Sequence, residues 1–363
     1  MEIAFIFCLI IFMLYYIFIA LKFSSPIFYY LGICIAVYSV VFFGFRGFDA
    51  TPDTLNYIDI ISNINENEGD FEYLSVMLFK FLNYVSDSYS IWFVLMFLIP
   101  WALINISVFS IFDVKGAVLC LLLITVSFSY FDLASNVNRQ YISLSCFILG
   151  LASDFKKQVL FRNILFVIAV LFHFSALIAL VVFIISLRLD SLNSNVIDKI
   201  LVLWVVFLST LALLGTDLSS YVIEYIKILS LMLDNTRTIR VLDIYSNLVE
   251  GSFYTRSSVN ILIELIALVT PCFLIFHSNF QSNYRKLMYV YILSASVYLM
   301  LAFQAWSLRY SYLPFSLSPI IWVLFIQQFN SSYMRMLISL SIAIPWFSLY
   351  WYELSKLRYY WVF

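Results

Sequence analysis

Apolar residues in this chain come in long runs rather than in stripes. Runs fall near 3–21, 26–45, 89–112, 117–134, 140–152, 164–187, 200–215, 258–276, 287–305, 311–329 and 336–351. A helix needs about 20 apolar residues to cross the hydrocarbon core of a bilayer, and most of these runs approach that length. The run 164–187 carries Phe172-His173-Phe174 near its middle and reads as two shorter helices with a break there. The pattern predicts an all-α polytopic membrane protein, one integral membrane domain over 1–363, with twelve spans. No internal repeat interrupts it. The first run follows Glu2 rather than basic residues and reads as a retained helix, not a cleaved leader.

Two stretches depart from the pattern, 46–88 and 217–257. In the first, Thr51-Pro52-Asp53 has the form of a helix start: a capping hydroxyl, proline in the first turn and a carboxylate at the positive end. Tyr57, Ile60, Ile61 and Ile64 follow at helical spacing. From Phe71, so do Leu74, Met77, Leu78, Phe81, Leu82 and Val85. Both segments are expected as short amphipathic helices lying in the interface, apolar face down. The second stretch is less regular, with a basic pair at Arg237 and Arg240.

Composition excludes a soluble fold. Hydrophobic residues make up 64% and charged residues 11% of 363, and the mean hydropathy is +0.98. A soluble domain carries about 25% charge, so this surface needs lipid as its solvent. A net charge of −1 gives no basis for a nucleic-acid partner. Cys8, Cys34, Cys120, Cys146 and Cys272 all lie in apolar runs, and no CxxC pair occurs. With only two histidines, no disulfide or metal framework is expected.

Orientation follows from the basic residues of short loops. One threading makes Lys22, Lys115, Lys156, Lys157, Arg162, Arg188, Lys199, Arg285, Lys286 and Arg335 cytoplasmic. It requires the break at His173, and it sets both termini and both long stretches outside. Against the usual bias, Arg46, Arg139, Arg237, Arg240, Arg256 and Arg309 then fall in the outer half. Arginine's planar fork matches phosphate oxygens and stays charged when partly buried, which points to a phosphorylated lipid head group. Ion pairing with the acidic first stretch, or snorkelling to the interface, would also account for any one of them. His173 stands alone in its apolar run, either a helix–helix hydrogen-bonding group or a base or phosphate donor. Asp53 and Tyr57 share a helix face. A carboxylate there suits a general base for an acceptor hydroxyl, and equally a charge at a helix start. Asp49, ahead of the helix, has no such local explanation.

Five short segments occur in order: Phe45-Arg46 with Asp53-Thr54-Leu55-Asn56-Tyr57; Phe71-Glu72; Asn138-Arg139-Gln140; Leu171-Phe172-His173-Phe174-Ser175-Ala176; and Leu308-Arg309-Tyr310. Together they resemble the EpsG/Wzy-type polysaccharide polymerase family of bacterial surface glycan assembly. The likeness is weakest after about residue 190. The family glycine before the first aspartate is displaced to Gly47, which leaves the carry-over to Asp49 or Asp53 open.

The resemblance implies a glycosyltransferase of the bacterial inner membrane with its site facing the periplasm. It would join oligosaccharide repeat units carried on undecaprenyl diphosphate, as an O-antigen polymerase does, without a cofactor or metal. Implied partners are the undecaprenyl-diphosphate-linked oligosaccharide, the lipid bilayer and a chain-length regulator protein. Catalysis is expected from His173, Asp53, Arg139 and Arg309. Substrate binding is expected from Arg46, Asp49, Tyr57, Glu72, Gln140, Arg256 and Tyr310. A lipid-linked oligosaccharide flippase and an O-antigen ligase are the competing readings. The charges gather in outer stretches and at helix mouths rather than along a central cavity, and this favours an enzyme over a transporter.

Overall fold

The computed structural model describes residues 2–45, 52–65, 71–192, 194–222, 224, 258–303 and 308–356. Arg46, Asp49 and Arg256 lie outside the described residues, as do Arg237 and Arg240. Asp53 is placed by its backbone, its side chain lying outside the description. Among the described residues the chain is helical between turns and has no strand. In chain order the helices are α1 (Glu2–Ala20), α2 (Ser25–Gly44, its last turn widened to a π-helix), α3 (Pro52–Ser62), α4 (Tyr73–Val85), α5 (Tyr89–Ile111), α6 (Val114–Thr125), α7 (Phe128–Ser135), α8 (Asn138–Phe155), α9 (Val159–Phe172), α10 (Ser175–Leu192), α11 (Asn195–Leu213), α12 (Ser258–Val269, extended by a 3-10 segment Thr270–Phe276), α13 (Arg285–Met300), α14 (Leu308–Ile326) and α15 (Ser332–Lys356).

Four of these are both long and apolar enough to cross a bilayer: Ser25–Gly44, Tyr89–Ile111, Ser175–Leu192 and Asn195–Leu213. Their polarity is inverted relative to a soluble helix. On α11 the polar Asp198 is buried with Val202, Val205 and Leu208, while Val196, Ile200, Leu203 and Phe207 face outward. Such a face in water would forfeit about 1.5–3 kcal/mol per large side chain; against acyl chains it does not. α9 repeats this, with Leu165, Phe166 and Ala169 inside and Leu160, Ile164, Val167 and Leu171 outside.

The chain forms two compact units, residues 1–180 with 319–363, and 181–318. In the first, α8 is the central helix, buried over nearly its whole length. Gly150 lets α9 approach it: a Cβ there would stand 2.4 Å from the Phe166 ring, and that ring stacks on Phe147 at 4.6 Å. Phe43, Phe97, Trp101, Tyr130 and Tyr141 interlock where α2, α5, α7 and α8 meet, with Phe43–Tyr130 at 5.2 Å and Trp101–Tyr130 at 5.5 Å. α3 and α4 stack on the start of α5 through Tyr57, Ile61, Ile64, Phe79, Leu82, Trp92, Phe93 and Met96.

In the second unit the core is polar at two points. Asp198, fully buried, accepts from Arg285 at 3.0 Å and from the Tyr289 hydroxyl at 2.7 Å. Arg285 also donates to Asn195 at 2.9 Å. Glu264 of α12 accepts from the Tyr298 hydroxyl of α13.

The structure corrects three expectations. The run 117–134 is two helices, because the chain turns at Val126-Ser127. The Thr125 hydroxyl bonds back to the Leu122 carbonyl at 2.9 Å there, a local hydrogen bond that competes with helix continuation. On α4 the buried stripe is Ser75, Phe79 and Leu82, while Met77, Phe81 and Val85 are exposed. This helix is apolar on both sides, so periodicity alone could not choose the face that meets α5. Arg285 is a buried, ion-paired residue at the first turn of α13, not a solvated loop charge.

Two outcomes follow. Gly150→Ala should cost about 1–3 kcal/mol by overpacking against Phe166, read as a lowered Tm in detergent, and Phe166→Leu in the same chain should recover part of it. Arg285→Ala or Asp198→Ala should cost about 3–5 kcal/mol by leaving one buried charge alone. The double variant should be less damaged than the sum of the two.

Candidate functional site

The site begins where α8 starts. Its N-cap position is Val137, which has no capping side chain, so the first amides of a long helix are left to other partners. Asn138, Arg139 and Gln140 form its first turn. The Arg139 guanidinium reaches Glu72 with Nη1 to Oε2 at 2.6 Å. It also lies over the Phe71 ring, 4.7 Å from its centroid. Glu72 occupies the N-cap position of α4 but makes no cap hydrogen bond. Its carboxylate is diverted outward, and Oε1 accepts the Phe174 N–H at 3.2 Å. The Arg139 N–H points at the Tyr57 hydroxyl, 3.5 Å away. Tyr57 is held by Phe79 at 5.9 Å, and Phe71 packs on the same ring at 5.9 Å.

Four separated sequence segments therefore meet: Tyr57 of α3, Phe71-Glu72 ahead of α4, the mouth of α8, and the break between α9 and α10. The break needs such partners. A chain interrupted between two apolar helices must satisfy the backbone groups that it frees. His173 is extended, φ −161° and ψ 126°. Ser75 donates to the Phe172 carbonyl at 2.8 Å, Glu72 takes the Phe174 N–H, and His173 itself takes the Ser175 N–H on Nδ1 at 3.1 Å.

That last contact sets the chemistry of His173. A backbone amide can only donate, so Nδ1 accepts, and the Ser175 hydroxyl stands 2.8 Å from the same nitrogen. The imidazole proton consequently sits on Nε2. In that tautomer His173 presents a donor at Nε2.

Arg139 and Glu72 are only partly exposed, 22% and 11% of their side-chain surface. Coulomb attraction is stronger there than on an open surface. One Arg139 donor is used on Glu72, while its Nε–H is buried without a partner. The fork is thus engaged at one point, and it retains donor capacity.

Gln140 is buried in the same helical turn. Asp53 precedes Tyr57 by four residues on α3, so the two positions share one face. Arg309 and Tyr310 belong to the second unit, half-buried in the first turn of α14. Among the described residues no three His, Cys, Asp or Glu side chains group as metal ligands.

Sequence reasoning left Asn138 without a role of its own. Its side chain is fully buried, and neither the amide oxygen nor the nitrogen has a partner. Trp101 Nε1 and Ser129 Oγ are buried and unpartnered as well. Buried polar groups are paired in nine cases out of ten or more. Their concentration on α5, α7 and the mouth of α8 marks polar ground inside an apolar bundle. The only sequence signal was an asparagine opening an otherwise apolar helix. Asp198 and Glu264, buried carboxylates of the second unit, were given no role by the sequence reading either.

Comparison with known proteins places this cluster in a wider context. No curated protein matches the chain, and no solved structure matches it. A family model described as the EpsG family matches residues 29–362. That match takes in all four segments of the cluster and runs from the second helix to the far end of the chain, and the chain belongs to the EpsG family.

Proposed function

We propose that this protein is a membrane-embedded glycosyltransferase that polymerises oligosaccharide repeat units carried on undecaprenyl diphosphate, working at the periplasmic face of the inner membrane. The observation that carries the reading is the Arg139–Glu72 pair at the mouth of α8, assembled from segments far apart in sequence and lodged where the bundle is half-shielded from water. We take the shorter apolar helices as completing a bundle of twelve spans, with both termini outside.

In the reaction, an acceptor sugar hydroxyl attacks the anomeric carbon of the donor. A carbon–oxygen bond forms, the bond from that carbon to the lipid diphosphate breaks, and the diphosphate leaves with the electron pair. Charge grows on the leaving oxygens. Arg139 stabilises it; Arg46, Arg256 and Arg309 are the other cations for which the family resemblance implies such a role. Glu72 holds the guanidinium in place and Tyr57 positions the sugar. The acceptor proton needs a base. His173, with its proton on Nε2, is a donor to phosphate or sugar oxygen instead, so the base falls to Asp53 on α3, with Asp49 nearby in sequence. The bilayer supplies the lipid-linked substrate, and a chain-length regulator protein is the expected partner.

A flippase would use charges buried within helices, and Glu264 with Asp198 in the second unit is the observation that favours it. Deletion of the gene followed by a glycolipid gel separates the two. Loss of a polymerase leaves core plus one repeat unit. Loss of a flippase or ligase leaves bare core and contradicts the proposal.

Arg139→Ala is expected to abolish polymer while the protein stays in the membrane. Arg139→Lys should fail nearly as badly, because an ammonium cannot reproduce the fork. Full-length polymer from the alanine variant would end the assignment. For His173, the Gln variant can still present an N–H near Nε2 and should retain activity about tenfold or more above His173→Ala. Equal loss in both would return His173 to the role of base.

A further inference from the structure

The end of the first unit away from Arg139 carries a second charged recess. Tyr15, Tyr16 and Ile19 of α1, Asp113, Lys115, Gly116 and Leu119 around the start of α6, Ile326 and Gln327 at the end of α14, and Arg335 of α15 line a small open cleft. α5 runs from the neighbourhood of α3 and α4 to Asp113, so the cleft lies one helix length from the mouth of α8.

Its construction is specific. Two adjacent tyrosines hold the main chain of the two cations: the Tyr15 hydroxyl donates to the Lys115 carbonyl at 3.1 Å, and the Tyr16 hydroxyl donates to Ser339 Oγ, which in turn donates to the Arg335 carbonyl at 2.7 Å. Arg335 is aimed further by Nε to the Phe329 carbonyl at 2.6 Å and by Nη2 to the Gln327 carbonyl at 3.4 Å. The Lys115 ammonium rests over the Phe28 ring at 5.1 Å. The carboxylate in the lining, Asp113, is occupied: Oδ1 accepts the Gly116 N–H at 3.0 Å and Gln327 Nε2 at 2.9 Å. Gly116 makes that second bond possible, since a Cβ there would meet Gln327 Nε2 at 2.1 Å. Neither Lys115 nor Arg335 has a salt-bridge partner among the described residues. Two held cations therefore line the cleft beside one carboxylate already in use, with Ile19 part-exposed at its edge and Leu119 and Ile326 buried behind it.

We infer that this cleft binds the phosphate head group of an anionic phospholipid, with Lys115 and Arg335 as its cationic contacts. The phosphate sits with these cations, and the glycerol and acyl chains continue past Ile19 along the apolar rim formed by Met13 and Ile17 of α1 and Leu21 just after it, all three exposed. A free anion has no use for that rim. The basic residues of the short loops gather at this end, where the threading sets the cytoplasmic leaflet. The proposal concerns a different end of the unit from the glycosyl-transfer site and stands without it.

The test uses the whole protein in detergent with added short-chain lipid. Binding is measured by native mass spectrometry and by the rise in Tm. Phosphatidylglycerol should bind and stabilise, phosphatidylcholine should not, and inorganic phosphate should give little rise. Lys115→Met leaves the Tyr15 bond intact, because that bond is to main chain, and should weaken phosphatidylglycerol binding about fivefold. Arg335→Met should do the same, and the pair should do more. Lys156→Ala with Lys157→Ala, two exposed cations that follow α8 outside the cleft lining, should change nothing. Unchanged phosphatidylglycerol binding in Lys115→Met, or equal loss in the Lys156/Lys157 control, overturns the site. A Tm rise from inorganic phosphate equal to that from phosphatidylglycerol overturns the lipid assignment.

Discussion

A guanidinium half-shielded from water is expensive to keep, and the arrangement around Arg139 follows from that cost. Leaving a charge uncompensated there would cost several kcal/mol. Glu72 supplies the opposite charge at 2.6 Å and the Phe71 ring a second favourable surface. To do so, Glu72 gives up the cap that its place at the start of α4 would offer. The same carboxylate then ties down the Phe174 amide and with it the gap between α9 and α10. One ion pair thus fixes the outer helices, the mouth of α8 and the histidine-bearing break together.

Rigidity there suits the proposed chemistry. A group that stabilises a leaving diphosphate works best when it is already aimed before charge develops. Arg139 is aimed by Glu72, which is itself anchored on two sides, and the whole rests on the cluster formed by α3, α4 and the first turns of α5. His173 has no freedom to choose its proton, because its Nδ1 is committed to the backbone that made the break. The interruption of the helix and the polarity of the imidazole have a single cause.

Much of this was legible in the sequence. The apolar runs announced the helices to within a few residues at most ends. The break at His173 was visible as a polar residue in the middle of a run too long for one span, and Pro52 marked the start of α3. Pairing across distance was not legible. That Glu72 would meet Arg139 depends on how α4 docks on α9, and α4 is apolar on both faces. The break at Val126-Ser127 stayed hidden because its hydroxyls are small and sit in an unbroken apolar run. Arg285 looked like a loop charge because Asp198, its partner, is distant in sequence. Asn138 was invisible for a related reason: an unsatisfied buried amide is a property of the packed state alone.

The central claim is that Arg139 recognises the diphosphate of a lipid-linked sugar. The direct measurement is equilibrium binding of undecaprenyl diphosphate and of undecaprenol, which lacks phosphate, to purified protein and to its Arg139→Ala variant. The account predicts that the native protein prefers the diphosphate by about tenfold or more and that the variant loses the preference while still binding the alcohol. A preference undiminished in the variant would contradict it.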